Sequence, residues 1–393
     1  MPLSLQPQSM SFKRGSTAIC PICGKETNNT LISLPFSPKG GLPTRVSLSV
    51  CEDCDFGFTY PANQLYYDKY YRYTKNDLIH QELEISPIEV QIECLKEFFS
   101  RHHSLNVLDF GCGDGDLIRK LSLEYPNNKY SGYDINGQEK IDPNASHNLF
   151  FFNQICKIDI KFDLIILSHV VEHIIDLSFI KYISSHFLNS RGILYIEVPD
   201  PYRYIEHPKR EYLYYIDRLH VNHFSQKSLT ILLNSIELNV LRFGRHILPY
   251  KDGGTFPAQY AFCTFNKTQT VPSLLGGLND SLIQYIEKES TKSSILKNKL
   301  GGMQNVIVYG FGDNFFRSRS SCGPLSDLNI KVVIDQRWET LKNSEEYRLY
   351  QFASLEEALQ TYPDLPILVT ASWDLNKIES SIRQVSNSLI IPI

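Results

Sequence analysis

Apolar residues recur along this chain with two periods, and the change from one to the other marks where strands give way to helices. "LNVLDFG" from Leu105 is a short apolar run of strand length, and "GDLIRKLSLEY" after it returns to an apolar residue every third or fourth position. Before it, "ISPIEVQIECLKEFF" has the same helical spacing. "KYSGYDI", "HNLFFFN", "FDLIILS" and "GILYIEVPD" follow as strands, with helical stretches between several of them. Such alternation predicts a parallel sheet covered by helices on both faces. A mixed region with "DGGTFPAQYAFCTF" and a helix near "NDSLIQYIEKESTKSSILKNKL" comes next. At "GGMQNVIVYGFGDNFF" a second strand, glycine turn and helix begin, continued by "IKVVIDQ" and "LPILVTAS". The first segment differs, with the short β-like pieces "NTLISLP" and "RVSLSV" among prolines and glycines.

These changes divide the 393 residues into an N-terminal module with a tyrosine-rich connector (1–73), a central α/β unit (74–245), connecting strands and a helix (246–299) and a C-terminal α/β domain (300–393). An apolar content of 42% over this length supports more than one core. The formal charge of -4 is spread along the chain without a block of one sign, which points to a small-molecule partner and away from nucleic acid or a membrane surface. "MPLSLQPQSMSFKRG" lacks the basic start and apolar core of a secretory signal, so a cytoplasmic location is expected. Of nine cysteines, Cys20, Cys23, Cys51 and Cys54 form two C-x-x-C pairs. Four thiolates from two tight knuckles make the closed tetrahedral shell preferred by structural zinc. Redox thiols or an iron cluster would use the same spacing.

"VLDFGCGDGDLIRKL" ends a strand on Asp109 and puts Gly111, Gly113 and Gly115 in the turn entering the next helix. Glycines admit a ligand close to the backbone, and an acid beside the turn suits a cationic amine better than a phosphate. Asp134, at the end of the next strand, can accept from two ribose hydroxyls. With "FDLIILSHVVEHI" and "GILYIEVPD", these residues resemble the class I S-adenosylmethionine-dependent methyltransferases from about Leu105 to Phe243. The resemblance implies a Rossmann-like central sheet, S-adenosylmethionine as cofactor, and Ser168 among its contacts. "HVVEH" also reads as the inverted zinc-protease pattern, but that pattern needs a helix lined with further ligands.

"EVPDPY", "DRLHVNHFSQKSL" and "DGGTF" carry a narrower resemblance. Together with the four-cysteine segment in front and the second Rossmann-like domain behind, they make the chain similar to the three-domain sugar C-methyltransferases acting on nucleotide-linked deoxysugars. This implies a catalytic role for His173 and for His220, the latter as the base that removes the acceptor's proton; structural hydrogen bonding and a cofactor contact are the other readings of His220. It also assigns Tyr71 and Tyr73, within "YYDKYYRY", to a lid; a packed connector explains the same tyrosines equally well. His223 is expected to support its loop. Leu219 stands where the family has a glutamate, and Asp252 where it has a histidine. Both C- and O-methylation therefore stay open, and His220, lacking a carboxylate beside it in sequence, is expected to titrate near the ordinary ~6.5 of imidazole. "VYGFGDNF" lacks the third glycine of a dinucleotide turn, although Asp335 ends the following strand. An NAD-dependent sugar oxidoreductase using that domain and a non-catalytic zinc-containing assembly protein are the competing readings.

Overall fold

The expected strands assemble into sheets in the computed structural model, which describes residues 17–38, 42–62, 87–135, 149–249, 254–266, 276–371 and 375–393. In the first segment β1 (Ala18–Ile19) and β2 (Glu26–Thr27) form a two-stranded ribbon. Next to it β3 (Thr30–Pro35), β4 (Arg45–Cys51) and β5 (Phe56–Tyr60) form an antiparallel meander. The central sheet contains β6 (Asn106–Phe110), β7 (Lys129–Tyr133), β8 (Leu149–Phe152), β9 (Phe162–Ser168) and β10 (Leu188–Pro199). These five are parallel, in the order β10-β9-β6-β7-β8.

The run in β9 shows why these strands read as unbroken apolar sequence. Leu164 and Ile166 join Leu95 and Phe99 of the helix Pro87–Arg101 and Leu121 of the helix Asp116–Glu124 in one core. Ile165 and Leu167 join Ile180 and Ile183 of Ser178–Phe187, and Leu229 and Leu233 of Gln226–Ser235, in another. Successive side chains of a strand face opposite ways, so only a strand covered on both sides needs an apolar residue at every position.

Three features depart from a purely local reading. The first segment does not complete its own sheet: β11 (Asn222–Phe224) pairs with β5 and extends the meander to four strands. The strands β12 (Asn239–Pro249) and β13 (Thr255–Thr264) add to β10 as an antiparallel edge, giving the central sheet seven strands. Arg245, where the sequence ends the central unit, is paired with Gln259 in the middle of that hairpin. The hairpin follows the open edge of β10, which local composition does not announce.

After the helix Leu278–Leu300 come β14 (Asn305–Tyr309), β15 (Asn329–Ile334), β16 (Phe352–Ala353), β17 (Ile367–Val369) and β18 (Ile390–Pro392), all parallel in the order β16-β15-β14-β17-β18. Among the described residues no helix is long and apolar enough to cross a membrane.

Two buried arginines tie this last sheet to the rest. Arg317, only 2% exposed, reaches Glu211 at 2.6 Å and Asp217 at 3.0 Å and donates to the Tyr212 carbonyl. Arg218 meets Asp313 at 3.1 Å and donates to the Ser37 carbonyl at 2.6 Å, so three distant segments converge on it. Arg317→Met would leave two partly buried carboxylates uncompensated, for an expected loss of ~3 kcal/mol, the lower end for breaking a buried pair. Urea unfolding checks this, and an unchanged midpoint would remove Arg317 from the stability argument.

Candidate active site

The glycine turn lies at the carboxyl end of β6, where open α/β sheets bind ligands. Gly111, Gly113 and Gly115 all have positive φ, at 86°, 55° and 82°. A Cβ on Gly111 would strike Val170, and one on Gly115 would strike Phe151, so these two glycines are demanded by packing as well as by φ. At Gly113 a Cβ meets nothing within 4 Å. The turn therefore presents open space at its middle glycine. Asp134 accepts a 2.9 Å hydrogen bond from the Gly113 N–H, which sets its carboxylate at the rim of that space. Asp109 is buried beneath the turn, and burial, with the charge of Asp134 second, pushes its carboxyl up to about 7.

At the end of β9 the chain turns sharply, with His169 at φ 53°, into a single 3₁₀ turn, Val171–His173. This strained corner delivers Glu172 and His173 together. Glu172 is buried and its Oε1 is 3.0 Å from His169 Nδ1. Burial alone would raise its carboxyl, but the His169 contact and the His173 charge hold it below the usual range. His173 Nδ1 is 2.8 Å from the Leu219 carbonyl, a bond that orients the ring. His220 comes from the next segment, its ring 4.9 Å from that of His173.

Here the sequence expectation for His220 is corrected. Leu219 supplies no carboxylate, but Glu172 does, from 48 residues earlier in sequence. Burial, with the neighbouring His173 second, lowers the His220 pKa far below 6.5 despite that carboxylate. The ring is neutral at pH 7, and its Nδ1 is buried without a hydrogen-bond partner. His223 lies in β11, opposite Gly57, buried, with its Nδ1 3.3 Å from the Tyr204 hydroxyl. Tyr71, Tyr73 and Asp252 lie outside the described residues.

Ser168 is drawn into a buried network that the sequence reading missed. Its hydroxyl donates to Glu197 at 2.8 Å and accepts from Gln91 at 2.7 Å. Glu197 is fully buried and also meets Tyr195 at 2.6 Å, His246 at 2.8 Å and His169 at 3.3 Å. Burial opposes its charge, yet the two histidines hold it well below the usual carboxylate range. His246, which burial would lower, is carried up to about 9 by Cys94 and Glu197. A signal was available: Glu197 is the one charged residue in "ILYIEVP", and an acid inside a strand buried on both faces requires partners. A groove of about 570 Å³ opens beside Cys94, His246 and Arg242, and none of the sequence-predicted residues lines it.

Cys20, Cys23, Cys51 and Cys54 converge, their sulfurs all within 4.8 Å of one another. The first knuckle closes through Gly24 at φ 71°, whose N–H donates to the Cys20 carbonyl, and the second turns through Asp55 at φ 55°. Cys23 and Cys51 sulfurs are 3.7 Å apart. Bonds of ~2.3 Å from zinc to sulfur give tetrahedral edges of ~3.8 Å, so this donor set fits a zinc ion. In the C-terminal sheet Asp335 is already engaged, by Arg337 at 2.8 Å and the Phe311 N–H at 2.9 Å.

Residues 67–242 match the family model described as a methyltransferase domain, a span that includes the glycine turn, Asp134, His173 and His220. The chain is similar to the solved structure of Burkholderia thailandensis 1,6-didemethyltoxoflavin-N1-methyltransferase with 1,6-didemethyltoxoflavin and S-adenosylhomocysteine bound. Identity is 14% and the TM-score 0.38, over 56% of this chain and 96% of that one. It is also similar to coclaurine N-methyltransferase bound to N-methylheliamine and S-adenosylhomocysteine, at 12% identity and a TM-score of 0.34, over 51% of this chain and 81% of that one. No curated protein matches the sequence.

Proposed function

We propose that this chain, an S-adenosylmethionine-dependent methyltransferase, methylates a small hydroxylated or keto acceptor, a nucleotide-linked sugar in first place, with His220 as base. The observation that carries the reading is the buried, unpaired Nδ1 of His220 in the same corner as the carboxylate of Glu172. S-adenosylmethionine, when bound, supplies a methyl group on a positively charged sulfur. A hydroxyl, or a C–H next to a ketone, must lose its proton to receive that methyl; the unprotonated His220 ring offers the lone pair, and the Glu172 carboxylate offsets part of the cost that burial sets on the positive charge it gains. Glu172 then faces the imidazolium that forms, in the place of the carboxylate that Leu219 lacks. His173, held by the Leu219 carbonyl, positions the same corner.

Three residues are the proposed cofactor contacts: Gly113 leaves room, Asp134 accepts from the ribose hydroxyls and Asp109 lies nearest the amine. Ser168 belongs with them as a positioning residue, because its hydroxyl is committed to Glu197 and Gln91. The narrower acceptor class rests on "EVPDPY" and "DRLHVNHFSQKSL", which carry the sugar C-methyltransferase resemblance. Incubation with S-adenosylmethionine and a panel of nucleotide-linked keto and hydroxy sugars should yield a product one methyl group heavier. Turnover with another acceptor class and none across this panel would overturn the sugar assignment.

The cofactor site has its own tests. Asp134→Ala is expected to weaken S-adenosylmethionine binding by ~1.5 to 3 kcal/mol, the range for hydrogen bonds to a charged group. Asp109 adds a pH dependence. Its free carboxyl titrates at about 7, and a cationic ligand binds the ionised form, so affinity should rise with pH up to that value and then level off. Below it, binding should release a proton. Calorimetry across this pH range in buffers of different ionisation enthalpy checks both statements; flat affinity and no proton release would separate Asp109 from the cofactor.

A further inference from the structure

We propose that Glu172, His173 and His220 also form a binding site for a divalent transition-metal ion of the zinc and cobalt class, and that an ion there blocks methyl transfer. The second part rests on the reading of His220 as the base, since one lone pair cannot hold a metal and accept a proton.

One donor atom from each side chain lies within 4.8 Å of the others. Two of the three residues have an unanswered polar atom. Glu172 is only 1% exposed, its Oε1 is engaged by His169, and its Oε2 is buried with no hydrogen-bond partner. A buried carboxylate oxygen without a donor is costly, and native structures rarely leave one so. The unpaired Nδ1 of His220 is the second.

The third residue is prepared in a different way. A carbonyl oxygen only accepts, so the bond between His173 Nδ1 and Leu219 places the proton on Nδ1. Its Nε2 lies on the side of Glu172, 4.0 Å from the carboxylate Oε1. Metal-ligating histidines are oriented in this manner, by giving the proton of one nitrogen to an outer acceptor. His169 does the equivalent for Glu172, and is itself anchored 3.3 Å from Glu197.

Two imidazoles and one carboxylate suit zinc, cobalt or nickel, and suit magnesium or calcium poorly. The span of 4.8 Å decides how firmly the ion is held. Bonds of ~2.0 Å give ligand-to-ligand edges of ~3.3 Å, so side-chain torsions must draw the donors inward. That adjustment opposes binding, and the ion should come and go. It is a reversible block on the acceptor site, distinct in chemistry and position from the four thiols.

The test is to titrate the purified protein with Co²⁺ and record its visible absorption. Cobalt held by nitrogen and oxygen absorbs weakly in the visible, while cobalt in the thiol site adds an intense sulfur-to-metal band in the near ultraviolet. The expected result is one equivalent with the weak signature alone and a fall in turnover over the same Co²⁺ range. Glu172→Gln and His173→Gln should each weaken that uptake at least ~10-fold, the effect of losing even an outer-shell partner. Calorimetric binding of S-adenosylmethionine to both variants verifies that they fold. Absence of the weak signature, or uptake indifferent to both substitutions, overturns the site. Uptake that leaves turnover unchanged overturns the block. Normal turnover in His220→Ala would overturn the base reading instead, with the cobalt spectrum still reporting on the metal.

Discussion

His220→Ala is expected to lower turnover by ~10²- to 10⁴-fold, the contribution of a positioned general base. Affinity for S-adenosylmethionine should stay nearly unchanged, because His220 lies in the corner with Glu172 and His173 and not at the glycine turn. The rate should fall at saturating concentrations of both substrates, which separates lost chemistry from lost binding. Glu172→Gln should reproduce part of the loss, since the imidazolium would lack its facing charge. His223→Ala is the contrast: His223 is fully buried behind Gly57 and Tyr204, so its removal should lower stability and spare turnover in the folded fraction. A His220→Ala enzyme with normal turnover on its true acceptor would sink the assignment and make His173 the next candidate.

The second large effect is expected from the four thiols. Protein purified without chelator should contain one zinc per chain, and Cys51→Ser should lose it together with more than ~4 kcal/mol of stability, as losses of structural metals do. Three of the four cysteines are buried, so an incomplete shell leaves thiols inside the protein with neither an ion nor water. The damage should spread through pairing: β4 ends in Cys51 and pairs with β5, and β5 carries β11, which leads directly from His220. Thermal unfolding with and without chelator checks the stability change, and elemental analysis checks the metal. Metal-free protein as purified, or a Cys51→Ser variant that melts like the parent, would remove zinc from this account. Cofactor affinity should fall only as the variant unfolds, since the glycine turn stands on a different sheet.

The thiol cluster, the cofactor turn and the histidine corner are legible in the sequence to different depths. Four cysteines in two C-x-x-C pairs announce their own convergence, because each knuckle is local and only the meeting of two knuckles needs the fold. Asp109, the three glycines and Asp134 are similar: they sit at the ends of adjacent parallel strands, and that adjacency follows from the βαβ pattern. The histidine corner was half legible. His173 and His220 are nameable from resemblance, but Leu219 offers no carboxylate, and the one that the fold brings near the pair, Glu172, is not signalled by their spacing.

By itself, the sequence determined the parallel strands of the central sheet and the helices between them, and it singled out a candidate four-thiol metal shell and a candidate cofactor turn. These depend on local periodicity and short spacing, which a linear chain carries directly. Only the tertiary structure decided that β11 completes the first sheet, that a hairpin through Arg245 closes the edge of β10, and that Arg317 holds Glu211 and Asp217. It likewise decided that Glu197 collects Gln91, Ser168, His169 and His246, and that Glu172 comes into one corner with His220. In each case a buried charge or an open strand edge must find a partner, and the sequence shows the need. Which distant residue answers it depends on where packing brings the segments together, and no periodicity records that.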